Sequence, residues 1–294
     1  MFNIIMKEIE FLNIINKCLT NNSLLGEDCA FLKDMGIFVT QDTLCEGIHF
    51  DLKYTDFYTL AKKSVVVNLS DLCANLSKPK YISISLSLPP NFDNKNLEQF
   101  YKGINDCCRK YNVKVCGGDL TGSKSGVIIS ICAIGAPYKK SQPKVSRSFA
   151  KENQIICVTK DYGSSAFALY CLQNKIKCSE KILKTHLCPE PDIKISKQLS
   201  NLTCKKIAMM DSSDGLCDSL YKMAKASEKT FEIDFEKIPY NKEIEKYKDY
   251  KNLIFWGGED YGLVFCIDKK DFLKLRENNK EIVKIGIVKP KNKK

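Results

Sequence analysis

Six short segments spread over the chain set carboxylates beside glycine, serine or threonine: Glu27-Asp28, Asp42-Thr43, Ser70-Asp71, Gly118-Asp119, the run Asp211-Ser212-Ser213-Asp214-Gly215, and Glu259-Asp260. Read as loops, they suggest a polyvalent magnesium and phosphate site. Hard cations prefer oxygen ligands, and magnesium on a nucleotide takes only one or two protein carboxylates per ion, with phosphates and water completing the octahedron. Many carboxylates on one cleft therefore imply several ions. Each segment alone has an ordinary explanation, since Asp and Ser cap helices and Gly-Asp pairs make turns. Asp71 reads as a turn residue after Val65-Val66-Val67-Asn68-Leu69, and Asp214 as a cap on a following helix. Their joint occurrence carries the argument.

The common phosphate-binding signatures are missing. No Gly-x-x-x-x-Gly-Lys-Ser/Thr loop, Gly-x-Gly-x-x-Gly loop or protein-kinase motif occurs in the chain. Carboxylate-held magnesium must then do most of the charge neutralisation that a lysine-bearing glycine loop would otherwise share.

The elements that must position these residues are mixed. Residues 82–88 alternate apolar and hydroxyl side chains, the period-2 mark of a half-buried strand, and Pro89-Pro90 ends it. A helix over 97–111, a short strand over 113–116 and a strand over 126–134 follow. The polar stretch 137–146 is a candidate linker. Beyond it the pattern predicts strands at 155–159, 231–235, 263–267 and 282–288 and helices at 164–174 and 214–227. The chain reads as two α+β halves, 1–137 and 148–294.

Composition bounds the class. The 294 residues are 44% hydrophobic and 28% charged, enough for two core-bearing domains. Residues 1–19 read as an amphipathic helix, because Lys7, Glu8 and Glu10 interrupt the apolar run a signal peptide requires. No segment approaches the roughly 20 apolar residues that span a bilayer, so a cytoplasmic location is expected, without membrane partners. The net charge of +11 is almost all lysine, with arginine at Arg109, Arg147 and Arg276 alone. Base readout favours arginine, so no nucleic-acid partner is expected, and the lysine-rich tail 289–294 reads as a frayed end. Fifteen cysteines, an odd number without a Cys-x-x-Cys pair, indicate reduced thiols packed as small hydrophobes.

Taken in order, Gly26-Glu27-Asp28-Cys29-Ala30, Asp42-Thr43-Leu44-Cys45-Glu46-Gly47-Ile48-His49-Phe50, Asn68-Leu69-Ser70-Asp71-Leu72, Gly117-Gly118-Asp119, Asp211-Ser212-Ser213-Asp214-Gly215-Leu216 and Gly257-Gly258-Glu259-Asp260-Tyr261 resemble the blocks of the thiamine-monophosphate kinases. These belong to the aminoimidazole-ribonucleotide synthetase (PurM-like) superfamily. The similarity runs over about 25–265. It implies ATP- and magnesium-dependent transfer of a γ-phosphoryl group onto thiamine monophosphate, in line and without an intermediate. It also implies a two-domain α+β fold, with an N-terminal mixed sheet contributing to a dimeric β-barrel, a C-terminal α/β sandwich, and ATP near the interface of a homodimer.

By matching position, the resemblance implies metal ligation by Asp28, Thr40, Gln41, Asp42, Asp71, Asp119, Asp211 and Asp214. It implies ATP contacts from Tyr101, Gly118, Asp119, Arg147 and Ser213, and substrate contacts from His49 and Glu259. No general base is assigned, because the acceptor phosphate ionises near pH 6 and is already an anionic nucleophile at pH 7. His186, near Pro189 and Pro191, reads as structural.

Several positions depart from the family pattern. Glu27 replaces a second Asp and Gln41 replaces Thr. Ser146-Arg147-Ser148-Phe149-Ala150-Lys151-Glu152-Asn153-Gln154 replaces Ser-Arg-Ser-Gly-Ala-Lys-Pro-Gly-Asp, Asp192 replaces Arg, and Gly262 stands for Glu. The terminal segment whose neighbouring aromatic stacks on thiamine is missing. Trp256 is either a substitute ring or a core residue. The alternatives are a sister synthetase of the superfamily and a non-catalytic binder of nucleotide or thiamine phosphate.

Overall fold

The computed structural model describes residues 2–291, with side chains from residue 10 onward. The first half contains α1 (Phe2–Cys18), β1 (Ala30–Leu32), β2 (Ile37–Cys45), α2 (Phe57–Ala74), β3 (Ser77–Leu88), α3 (Asn94–Tyr111), β4 (Lys114–Gly122) and β5 (Ile128–Pro137). The second contains β6 (Lys144–Val145), β7 (Ile155–Val158), α4 (Ser164–Asn174), α5 (Glu180–Leu187), α6 (Ile193–Leu199), β8 (Lys206–Asp211), α7 (Leu216–Ser227), β9 (Thr230–Ile233), α8 (Tyr250–Trp256), β10 (Leu263–Ile267), α9 (Lys269–Asn278) and β11 (Val283–Lys289). Residues 1–19 are therefore helical over 2–18, while the side chains of Lys7 and Glu8 lie outside the description. Of the tail 289–294, expected to be frayed, Lys289 still pairs with Thr230 in β11, and 292–294 lie outside the described residues.

Among the described residues, the first sheet runs β1-β2-β5-β3-β4 and the second β6-β8-β10-β7-β11-β9. In β3 the predicted alternation holds: Ile82, Ile84 and Leu86 are buried while Tyr81 and Ser85 face out. β4 closes one edge and is exposed along its whole length. Three of the six acidic segments lie within regular elements, contrary to their reading as loops. Asp42 lies in β2, Asp71 in α2 and Asp119 in β4.

The misreading of Asp71 has a physical cause. A run of three valines favours strand on propensity, but α2 is covered on several sides. It packs on the first sheet, on α3, and on β8 and α6 of the second half. Leu60, Ala61, Val65, Val66, Leu69 and Leu72 are all buried in it. A helix that is apolar nearly all round loses the 3.6-residue signature and reads as a structureless apolar run. Its start is fixed by Asp56, whose carboxylate accepts from the Thr59 N–H at 2.7 Å.

The halves share a core. Cys73, Ala74 and Leu76, which follow Asp71 directly, pack with Leu199, Ile207, Leu263 and Phe265 beneath the second sheet. The stretch 137–146 is tied to both sides: Gln142 donates to the Leu76 carbonyl at 2.8 Å, and β6 joins β8. Among the described residues, no helix is long and apolar enough to cross a membrane, and every described cysteine is free.

Candidate active site

The acidic residues meet where α2 is pressed between the two halves. β2 presents alternate side chains to opposite faces, so Thr40 and Asp42 share the face toward α2. The Thr40 hydroxyl donates to Asp71 Oδ2 at 2.6 Å, and the Asp42 N–H donates to Asn68 Oδ1 at 3.1 Å. From the other side, Asp211 ends β8, and Ser70 donates to its Oδ2 at 2.6 Å. Asp28 enters from the loop before β1 and pairs with the Arg147 guanidinium.

Electrostatics shows that these carboxylates feel one another. Burial, then Asp211, Asp42 and Asp28, push the Asp71 carboxyl well above the carboxylate range. Asp42 rises to about 6 through burial, Asp214 and Asp28. Asp211 rises to about 8 through burial and Asp28. Burial raises Asp28 as well, against the lowering pull of Arg147. So much like charge in a low-dielectric cleft is unstable without counter-charge. Asp28 Oδ2 and Ser212 Oγ are also buried there without hydrogen-bond partners.

This donor set fits hard divalent cations. It consists of oxygen atoms, with excess negative charge and an orphaned carboxylate oxygen. Among the described residues, no three His, Cys, Asp or Glu side chains close around one ion by themselves.

The remaining candidates are placed unevenly. Asp214 is exposed, salt-bridged to Lys222 at 3.2 Å, yet near enough to raise Asp42. The Gln41 side chain points to the opposite face of the sheet and donates to Ser130 Oγ at 3.1 Å, so it does not join Asp71. Asp119 and Gly118 lie on β4, three inter-strand steps from β2, about 14 Å. Asp119 therefore cannot share an ion with Asp42 within one chain. Tyr101 is exposed on α3. His49 sits in the exposed turn after β2, its Nδ1 accepting from the Cys45 N–H at 3.0 Å.

Glu259 lies in the second half, but its partners bridge the molecule. Lys63 Nζ donates to Glu259 Oε2 at 3.1 Å, and His186 Nδ1 lies 3.0 Å from the same oxygen. Burial pushes the Glu259 carboxyl up, but His186 and Lys63 outweigh it and bring it down to about 2. His186, read as structural, is buried and lies against Ser165 and Glu259. Lys63 was missed, and Ser70 was noted only as the neighbour of Asp71. Their partners lie 196 and 141 positions away, and a lone lysine or serine in a helix carries no signal of that. Trp256 is half exposed at the end of α8, which excludes the core reading.

The profile for "AIR synthase related protein, N-terminal domain" matches residues 26–136. Thiamine-monophosphate kinase of Buchnera aphidicola (subsp. Schizaphis graminum) is 34% identical over 262 residues, 85% of this chain and 78% of its own. That of Bacillus subtilis is 30% identical over 283 residues, 92% and 86%. The chain belongs to the thiamine-monophosphate kinase family. A solved structure of AaThiL complexed with AMPPCP and TMP superposes with TM-score 0.85 at 28% identity, covering 96% of this chain and 91% of that one.

Several departures from the kinase-family pattern prove to be compensated. Glu27 reaches further than Asp would: its Oε1 accepts from Ser146 at 2.5 Å and its Oε2 from the Arg147 N–H at 3.0 Å. Asn153 holds φ at +68°, the left-handed region that Gly occupies freely and Asn tolerates best among the rest. Gln154 closes the same turn by accepting from the Lys151 N–H at 3.0 Å. At Gly262, an added Cβ would sit 2.9 Å from the buried Tyr162 hydroxyl.

Proposed function

We propose that this protein is a thiamine-monophosphate kinase: it transfers the γ-phosphoryl group of ATP to the phosphate of thiamine monophosphate, giving thiamine diphosphate and ADP. The observation that carries the reading is the convergence of Asp28, Asp42, Asp71 and Asp211, from both halves, on one cleft of mutually raised carboxyls. An oxygen of the acceptor phosphate forms the new bond to the γ-phosphorus as the bond to the β-bridging oxygen breaks. That oxygen is ionised at neutral pH, so no side chain need remove a proton.

Asp28, Asp42, Asp71 and Asp211 would hold magnesium, with Asp214 and the Thr40 hydroxyl nearby. Bound magnesium would offset repulsion between the two phosphate chains and the charge that develops in transfer. Arg147, Ser213, Gly118 and Tyr101 would contact ATP, and His49 and Glu259 the thiamine moiety. Glu259 stays ionised, which suits a ring N–H donor or a cationic thiazolium.

A homodimer completes this reading, with the first sheets of two copies joined into a barrel and the halves divided as 1–137 and 148–294. The exposed β4 edge supports it, as does the distance of Asp119 from Asp42. A second copy offers the route by which Asp119 reaches an acidic cluster. The deciding experiment supplies purified protein with ATP, magnesium and thiamine monophosphate and separates the products. Magnesium-dependent thiamine diphosphate is expected. ATP hydrolysis without diphosphate would reject the reading in favour of a sister synthetase.

A further inference from the structure

Lys63 lies near the middle of α2 and is 3% exposed. Lysine is almost never buried to that degree unless paired. Its partner is Glu259, across the boundary between the halves, and among the described residues the ammonium makes no other hydrogen bond. Seven residues further along the same helix, Ser70 bonds Asp211 of the second half. A seven-residue step returns to the same helix face about 10.5 Å along the axis. One face of one rigid helix therefore holds two carboxylates of the opposite half, one in the acidic cluster and one in the candidate substrate pocket.

The hold on Glu259 is one-sided. Lys63 and His186 both meet Oε2, whereas Oε1 receives no hydrogen bond from any described residue. The side chain remains 24% exposed. Its backbone is equally constrained. Glu259 has φ +64° and Tyr261 φ +51°. The Glu259 N–H donates to Ser213 O at 2.6 Å, and a Cβ on Gly258 would meet that same carbonyl oxygen at 2.7 Å. A left-handed glutamate, fixed at its backbone and by one carboxylate oxygen, leaves the other oxygen presented in a set direction.

We propose that Lys63 is a positioning residue for substrate: from the first half it fixes Glu259 Oε2, so that Oε1 stays open to accept from the heterocycle of thiamine monophosphate. This rests on the assignment of Glu259 to the substrate pocket made above. A plain ion pair cementing the halves would instead act on stability and on both substrates alike.

Steady-state kinetics on the full chain separates these cases, using Lys63→Met, Lys63→Arg, Glu259→Gln and the Lys63→Met/Glu259→Gln double variant. Lys63→Met should raise KM for thiamine monophosphate about tenfold, the loss expected for one charged hydrogen bond. KM for ATP and kcat should stay within about twofold. Lys63→Arg should recover part of the loss, and the double variant should be no worse than the poorer single one. If Glu259→Gln leaves KM for thiamine monophosphate unchanged, the pocket assignment falls and the proposal with it. If Glu259→Gln raises that KM and Lys63→Met does not, the positioning role alone is overturned. A loss in Lys63→Met shared by kcat and both KM values, tracking a lowered melting temperature, also overturns it. Should Lys63→Met fail to fold, Lys63→Gln, which keeps a shorter donor, is read the same way.

Discussion

Burial and then Asp211, Asp42 and Asp28 all push the Asp71 carboxyl up, against the lowering pull of the Thr40 hydroxyl. Replacing Asp71 with Asn removes the charge a cation needs while keeping shape and an acceptor. We expect Asp71→Asn to lower kcat on the order of a hundredfold or more and to raise the magnesium concentration for half-maximal rate. Near-normal kinetics in a magnesium titration would sink the metal assignment. His49→Ala should instead raise KM for thiamine monophosphate and spare kcat, because the acceptor phosphate is already ionised at neutral pH and the transfer needs no proton moved by a side chain. At this scale the sequence was most legible for carboxylates, whose types and neighbours announce a hard-cation site. It was least legible for Lys63, Ser70 and His186, whose meaning arises only when distant segments are brought together.

Elements set which of those residues can meet. Asp42 and Gln41 are adjacent, yet the alternation of β2 sends one to α2 and the other to Ser130 on the opposite face. Position in the family pattern grouped Gln41 with Asp42, and matching by position carries no information on which face of a strand each side chain takes. Strand β10 and helix α4 matched the predicted ranges because their ends carry ordinary turn signals and their apolar patterns are plain. Helix α2, buried on several sides, gave no such pattern. The cap of α4 is also tertiary. Its first N–H groups are met by Asp260, which accepts from Gly163 at 2.8 Å and Ser165 at 3.2 Å. Burial raises that carboxyl to about 7, so the folded state keeps a proton that the unfolded chain has released. Stability contributed here is therefore fullest at low pH and is lost as pH rises from about 4 to about 7. Asp260→Asn cannot titrate. Its thermal melts should lie furthest below those of the unsubstituted protein near pH 4, with the gap narrowing as pH rises to about 7. A gap independent of pH would contradict the assignment.

At the scale of the whole molecule, the unresolved geometry is the separation of Asp119 from the other carboxylates. Sheet order fixes it at three strand spacings within one chain. The strand that bears Asp119 is an open edge, and natural proteins seldom leave a long edge uncovered. Gly118 belongs to that edge and has no room for a side chain: a Cβ there would lie 2.0 Å from the Ile84 carbonyl oxygen of β3. A homodimer built on these edges would bring Asp119 of one copy toward the cluster of the other. Such a composite site would have a consequence that sedimentation alone would not reveal. Asp71→Asn and Asp119→Asn should each be nearly inactive, but when the two are co-expressed, each mixed dimer places both substitutions in one site and leaves the other site intact. Random assortment then restores about a quarter of the native sites. The check is the specific activity of the co-expressed pair against each variant alone. No recovery, with dimers present by sedimentation, would mean that Asp119 serves its own chain, and an Asp119→Asn variant active by itself would mean that it serves no site. Monomers at micromolar concentration would remove the dimer itself.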